Sequence, residues 1–358
     1  MRRRMAGMAI ALAVIAILVA ALHRASRPTP PRLRTAAALR LGTIVRLTVA
    51  APDAARAEAD IAAAFDRLAT LEATLSAQRE DSELNAINRA AGDGPVTVSG
   101  DLFAAIRAGV DWFRRTGGCF DIAVGPLIAL WQSCGQEGRL PTSGEVASAK
   151  AACGAGRIEM DEGARTVRLP DSQMRLHLGG IGKGFCADAI ADLLRRRGVQ
   201  SGLVAMAGDI YAIGRRPDGR PWRVGVQDPR APDDPSRCVT VLELVDRAVS
   251  TSGNYQRFVE IGGRRFSHIV DPRTGWPCDS VPSVTVIGPD ATSTDVLGTA
   301  LSVMGLEEGL RFAEQLPDIE ALFITFNANG GLVLHRTSGF QRYEAEDGVN
   351  AASDRRDW

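Results

Sequence analysis

From residue 202 to residue 336 the chain reads as one short strand after another. The segments LVAMAGDIYAIG, WRVGVQ, CVTVLELV, RFVEI, RRFSHIV, SVTVIG, ALFITF and GLVLHR are rich in aliphatic and β-branched residues. Glycine, proline and aspartate separate them, the pattern of strands joined by tight turns. RFVEI and RRFSHIV are linked by Gly262 and Gly263 alone, which predicts a hairpin. One helix interrupts the series, expected from about Thr294 through DVLGTALSVMG. A chain with so many short strands in succession is confined to largely antiparallel sheets.

The first half supplies the helices. LRLGTIVRLTVA alternates as a half-buried strand, and the folded part is expected to begin there, near Leu39. ARAEADIAAAFDRLATLEATLS has helical spacing through Ile61, Phe65, Leu68 and Leu71. A second helix is predicted over 101–115, opened by Ser99 or Asp101 and closed before Gly117. A third is predicted over 187–197, with Gly198 as its stop. Helices beside mixed, largely antiparallel sheets make an α+β fold. A chain of 358 residues, 45% apolar, can bury the core of one large or two average domains. Its 42 basic and 42 acidic side chains imply no net attraction to nucleic acid.

The N-terminus has its own signature. Three arginines at 2–4 precede an uncharged run over 5–22, followed by His23 and Arg24. The run can span a bilayer, and the leading arginines are expected to stay in the cytoplasm. Small residues near its end also suit a cleaved signal peptide. We read residues 1–24 as an anchor or signal peptide, favouring an uncleaved anchor at the inner membrane with the rest exported to the periplasm. Residues 25–38 read as a proline- and arginine-rich linker and 344–358 as a flexible tail.

LGGIGKGF, residues 178–185, sets four glycines around Lys183, one of only two lysines, after what reads as a strand. It is not a Walker A loop: His177 stands where the first glycine belongs, and Gly184 follows the lysine in place of a hydroxyl. Asp295 and Thr299 are four residues apart, on one helix face. Both are hard oxygen donors suited to Mg²⁺; equally, Asp295 could cap its helix and Thr299 pack into it. His268, before the turn DPRTGWP, could accept a proton near neutral pH. The six cysteines are scattered with no C-x-x-C, so they indicate neither zinc nor thioredoxin chemistry.

LGTIVRL, DSELNAIN, GGCFDIAVGPLIALW, LGGIGKGFCAD, AGDIYAIG, VSTSGNYQRF, HIVDPRTGWP and STDVLGTAL, in this order, resemble the ApbE family, the FAD:protein FMN transferases. The resemblance implies a single catalytic domain, related to the T-fold, over 39–343. It implies Mg²⁺-dependent transfer of FMN from FAD to a Ser or Thr hydroxyl of an acceptor protein, a membrane redox subunit, with release of AMP. Asp295, Thr299 and the Gly180 carbonyl would hold the metal. Cys119, Phe120, Asp121, Lys183 and backbone near Ile269 would contact FAD, with the glycine turn facing the pyrophosphate from the side opposite the Asp295 helix. His268 would be the base, with Lys183 and Asp295 completing the catalytic set. Three further flavin-contacting positions depart from the family: His177 replaces an aspartate, Gln78 an aromatic residue and Leu41 a methionine. FAD storage without transfer, and hydrolysis to FMN and AMP, are the alternatives.

Overall fold

The computed structural model describes residues 31–234, 236–254 and 258–346. Its strands are β1 (Arg32–Arg40), β2 (Thr43–Ala51), β3 (Val96–Thr97), β4 (Glu159–Asp161), β5 (Thr166–Arg168), β6 (Gly202–Met206), β7 (Asp209–Ile213), β8 (Trp222–Gln227), β9 (Cys238–Leu244), β10 (Arg247–Gly253), β11 (Phe258–Ile261), β12 (Arg264–Ser267), β13 (Ser283–Gly288), β14 (Glu320–Phe326) and β15 (Leu332–Arg336). The helices are α1 (Ala54–Leu75), α2 (Glu83–Arg89), α3 (Gly100–Arg115), α4 (Gly125–Glu137), α5 (Ser143–Ala151), α6 (Gly182–Arg196) and α7 (Ala291–Glu314).

Eight strands form one sheet in the order β1-β2-β6-β7-β10-β13-β14-β15, every pairing antiparallel. Side chains alternate between its faces. Val204, Tyr211, Val284, Val286 and Phe323 enter the core shared with α1, α6 and α7. Leu203, Ile210, Val249, Ile287 and Leu322 face the other way, under the β8–β9 hairpin and Phe340. Burial on both faces is why these strands read as nearly unbroken apolar runs. The sheet fold expected from the strand series is therefore present, with LVAMAGDIYAIG split into β6 and β7 at Ala207 and Gly208.

The helices follow from their spacing and caps. α1 buries Ala57, Ile61, Ala64, Leu68, Leu71 and Leu75 along one stripe, and Asp53 caps it by accepting the Arg56 N–H at 2.8 Å. α3 is capped by Ser99. A separate cluster joins Leu127, Trp131 and Cys134 of α4 to Ile261 and Phe266 of the β11–β12 hairpin. Trp131 lies 5.3 Å from Phe266 and 5.2 Å from Trp276, centroid to centroid.

Several expectations need correction. Residues 32–38, assigned to a linker, belong to β1, which pairs with β2 over its full nine residues. At the other end Glu344 and Ala345 are packed, not a loose tail. Glu344 pairs with Arg336 at 2.9 Å, and the Ala345 N–H donates to the Val241 carbonyl. α6 begins at Gly182, five residues before its predicted start, so Lys183 lies in its first turn; the stretch before it is irregular, not a strand. α7 is capped by Asp290 rather than by Asp295, and kinks at Gly305, whose φ is +79°. All six cysteines are free thiols, four of them buried. The run over 5–22 lies outside the described residues, as do 347–358; among the described residues no helix is long and apolar enough to cross a membrane.

Candidate active site

The helices α6 and α7 meet at their N-termini and exchange caps. Asp295 of α7 accepts the Gly184 N–H at 3.0 Å, satisfying a first-turn donor of α6. In return Asp188 of α6 accepts the Ala291 and Thr292 N–H groups at 2.7 and 2.8 Å and the Thr292 hydroxyl at 2.5 Å. The approach depends on Gly184, where a Cβ would stand 2.1 Å from the Ala291 carbonyl oxygen. The glycine turn and the Asp295 helix are thus in direct contact, not on opposite sides of a ligand.

Lys183 projects from this junction between two buried carboxylates. Its Nζ is 2.7 Å from Asp209 Oδ2 and 3.3 Å from Asp295 Oδ1. Burial alone would lower the lysine's pKa, but the two carboxylates outweigh it and raise it, so the ammonium stays charged. Burial, reinforced by Asp209, holds the Asp295 carboxyl above the usual aspartate range; Lys183 and the Gly184 N–H pull it back. Asp209 joins this cluster although no motif in the sequence singles it out for a role. Its signal there is an acid opening the otherwise apolar strand DIYAI.

One helical turn beyond Asp295, Thr299 Oγ1 lies 3.0 Å from where a Cβ on Gly180 would sit, and the Phe120 ring 3.1 Å from it. Gly180, Asp295 and Thr299 are therefore gathered at one place. Among the described residues no three His, Cys, Asp or Glu side chains could jointly hold a metal. The donors here are instead one carboxylate, one alcohol and one carbonyl, which fit a hard divalent cation that fills its shell with phosphate and water.

These residues form one wall of a cleft of about 410 Å³ that all twelve candidate residues line. A second part of the lining is the end of the β11–β12 hairpin, where His268 follows directly on β12 and is exposed, between the buried Ser267 and Ile269. The Ser267 N–H donates to Asp279 Oδ1 at 3.2 Å, which fixes the strand end. Ile269 is less available than expected, because its N–H donates to Ser267 Oγ and its carbonyl accepts the Cys278 N–H. Cys119 packs with Ile269 and Val303, and burial pushes its thiol upward, so it contributes apolar wall rather than a nucleophile.

Asp121 departs most from its expected role. Its carboxylate accepts the N–H groups of Ala123, Gly154 and Ala155 at 2.7 to 2.9 Å. It ties the loop after α3 to the turn at 154–155, while burial raises its pKa against those bonds. At the rim, Leu41 occupies the first position of the β1–β2 turn with φ +51°, its N–H donating to Glu72 Oε1 at 2.7 Å. A non-glycine residue in that region stores strain that the Glu72 contact offsets. Gln78 is exposed beside the Ser76 hydroxyl. His177 accepts the Gly179 N–H on Nδ1 at 3.2 Å.

A family model described as the ApbE family matches residues 41–323. A Treponema pallidum (strain Nichols) protein named FAD:protein FMN transferase is 35% identical over 306 residues, covering 80% of this chain and 83% of its own length. A Klebsiella pneumoniae (strain 342) protein of the same name is 33% identical over 264 residues, covering 74% and 81%. Among solved structures, the ApbE protein of Thermotoga maritima superposes with a TM-score of 0.78 at 29% identity, over 88% of this chain and 100% of that one. The flavin transferase ApbE from Vibrio cholerae does so with 0.76 at 28% identity, over the same shares.

Proposed function

The chain belongs to the ApbE family and is a transferase, and we propose that its cleft binds FAD and passes the FMN half to a Ser or Thr hydroxyl of an acceptor protein, releasing AMP. The observation that supports this most is the convergence of Gly180, Lys183, Asp295 and Thr299 on one side of a cleft that His268 also lines.

The acceptor oxygen attacks the phosphorus on the FMN side, and the bond to the bridging oxygen breaks, so AMP leaves with that oxygen. His268 takes the hydroxyl proton on a ring nitrogen. Lys183, kept charged by Asp209 and Asp295, faces the pyrophosphate as a fixed cation. Asp209 acts through Lys183, holding its ammonium in place. Asp295, Thr299 and the Gly180 carbonyl would hold Mg²⁺, which when bound neutralises charge on the phosphate oxygens. The apolar surface of Cys119 and Phe120 shields the reacting centre from water and lies against the flavin.

The acceptor we propose is a membrane redox subunit, with the catalytic domain held at the inner membrane outside the cytoplasm. The three arginines at 2–4 ahead of the run over 5–22, expected to stay in the cytoplasm, and the family resemblance support this placement. Incubation with FAD, Mg²⁺ and a threonine-bearing acceptor protein tests the reaction. Transfer leaves the acceptor fluorescent and heavier by one FMN phosphoryl unit. Free FMN alone, or FAD bound and unchanged, refutes it.

A further inference from the structure

The first 52 residues hold nine arginines and no aspartate or glutamate, the first acid being Asp53. The whole chain balances 42 basic against 42 acidic side chains, so the remainder carries 33 against 42. Charge is segregated along the chain, and part of the basic segment has a defined place in the fold. Among the described residues β1 is an edge strand with no neighbour on its outer side. Arg32, Arg34, Arg40 and Arg46 of the β1–β2 hairpin form no ion pair among the described residues. Arg40 reaches only the carbonyl of its neighbour Leu39, at 2.9 Å, and its Nε has no partner there. At the turn end, Leu39 and Ile44 stand directly opposite in register. They are the most exposed large apolar side chains among the described residues, at 69% and 62%.

β1 starts nine residues beyond the apolar run over 5–22, and nine residues span at most roughly 30 Å. We propose that the turn end of the β1–β2 hairpin rests on an anionic bilayer surface, with Leu39 and Ile44 in the interfacial layer, Arg46 on lipid phosphates from the face they share and Arg40 from the other face of the tip. The inference rests on the anchor reading of residues 5–22. Arginine suits phosphate oxygens through its planar fork, and each basic side chain near such a surface strengthens association by about fivefold. The acidic remainder is repelled by the same surface, so the field orients the chain as well as attracting it. Leu41 and Thr43 of the same turn line the cleft, so this contact sets the cleft mouth beside the membrane. Pairing of a second copy along the β1 edge is the competing occupant, and it does not account for the absence of carboxylates before Asp53.

The test uses the full-length chain in lipid discs of phosphatidylcholine, with or without phosphatidylglycerol. Amide hydrogen exchange over residues 36–46 is expected to slow by about threefold or more in the anionic discs. That slowing should vanish at about 0.5 M salt and in an R34E/R40E/R46E chain. The salt titration needs no substitution, so it decides the matter even where the variant fails to fold. Equal exchange in both lipids refutes the surface contact, as does protection that follows protein concentration instead of lipid charge. Failure to remain with either disc refutes the anchor reading, and is read separately from co-purification.

Discussion

On one wall of the cleft, α6 and α7 lock together through buried charge: Asp295 caps α6, Asp188 caps α7, and Lys183 lies between Asp209 and Asp295. Elsewhere in the lining, His268 directly follows a four-residue strand whose hairpin is held by aromatic packing against Trp131. The difference separates two kinds of site. In the first, the groups proposed to meet phosphate also hold two helices at a fixed distance, so chemistry and stability share the same atoms. In the second, the group proposed to move a proton is exposed just past the end of the packed strand.

The sharpest way to break this contrast is Gly184→Ala. The added methyl would sit 2.1 Å from the Ala291 carbonyl oxygen and 2.8 Å from Asp295 Cβ, and both belong to packed backbone or a buried side chain. Separating the helix ends should cost more than about 3 kcal/mol and abolish transfer at the same time, measured by urea unfolding and flavinylation of an acceptor. Activity retained in a stable Gly184→Ala chain would show that the α6–α7 junction is not rigid. His268→Asn addresses the exposed group. Transfer should fall by roughly 10²- to 10⁴-fold, while unfolding free energy stays within about 0.5 kcal/mol. A comparable loss of stability in both variants would erase the distinction between the two regions.

Asp188→Asn comes next in size. The substitution keeps the side-chain volume but places an amide donor against the Ala291 or Thr292 N–H, and should cost roughly 1–3 kcal/mol near neutral pH. Burial raises the Asp188 carboxyl to about 6, against the hydrogen bonds from Thr292 and Ala291. The folded chain therefore binds this proton more tightly than the unfolded chain. Stability from this group is full below the unfolded aspartate pKa and is lost as pH rises through about 6. Denaturation at several pH values should show that slope in the unaltered chain and its absence in the variant.

The two regions were also unequally legible. Gly262 and Gly263 announced the hairpin before His268, and the four-residue spacing of Asp295 and Thr299 announced their shared face. The first turn of α6 was hidden, because Gly182 and Gly184 carry poor helix propensity and the Gly184 donor is satisfied by a carboxylate 111 residues away. Asp209 was hidden for the same reason: its partner Lys183 comes from another element, and no local period records such a pair. β1 escaped notice because Arg32, Arg34 and Arg40 interrupt its even face and its run of three alanines carries little strand signal. Asp121 showed its residue type but not its three backbone donors, which come partly from 154–155.

The smallest effect is expected at His177. Its Nδ1 accepts the Gly179 N–H, and a Cβ on Gly179 would stand 2.5 Å from the ring, so the imidazole packs against the glycine turn. His177→Asp replaces the ring with a shorter acceptor that can still take the Gly179 N–H. Helix geometry should therefore survive and kcat should stay within about twofold, because no group proposed to act on phosphate or proton has moved. The change falls on ligand contact at the rim, and KM for FAD should shift by less than about tenfold, the scale of one hydrogen bond gained or lost. A kcat loss as large as that of His268→Asn would place His177 in the chemistry and extend the exposed region to the glycine turn.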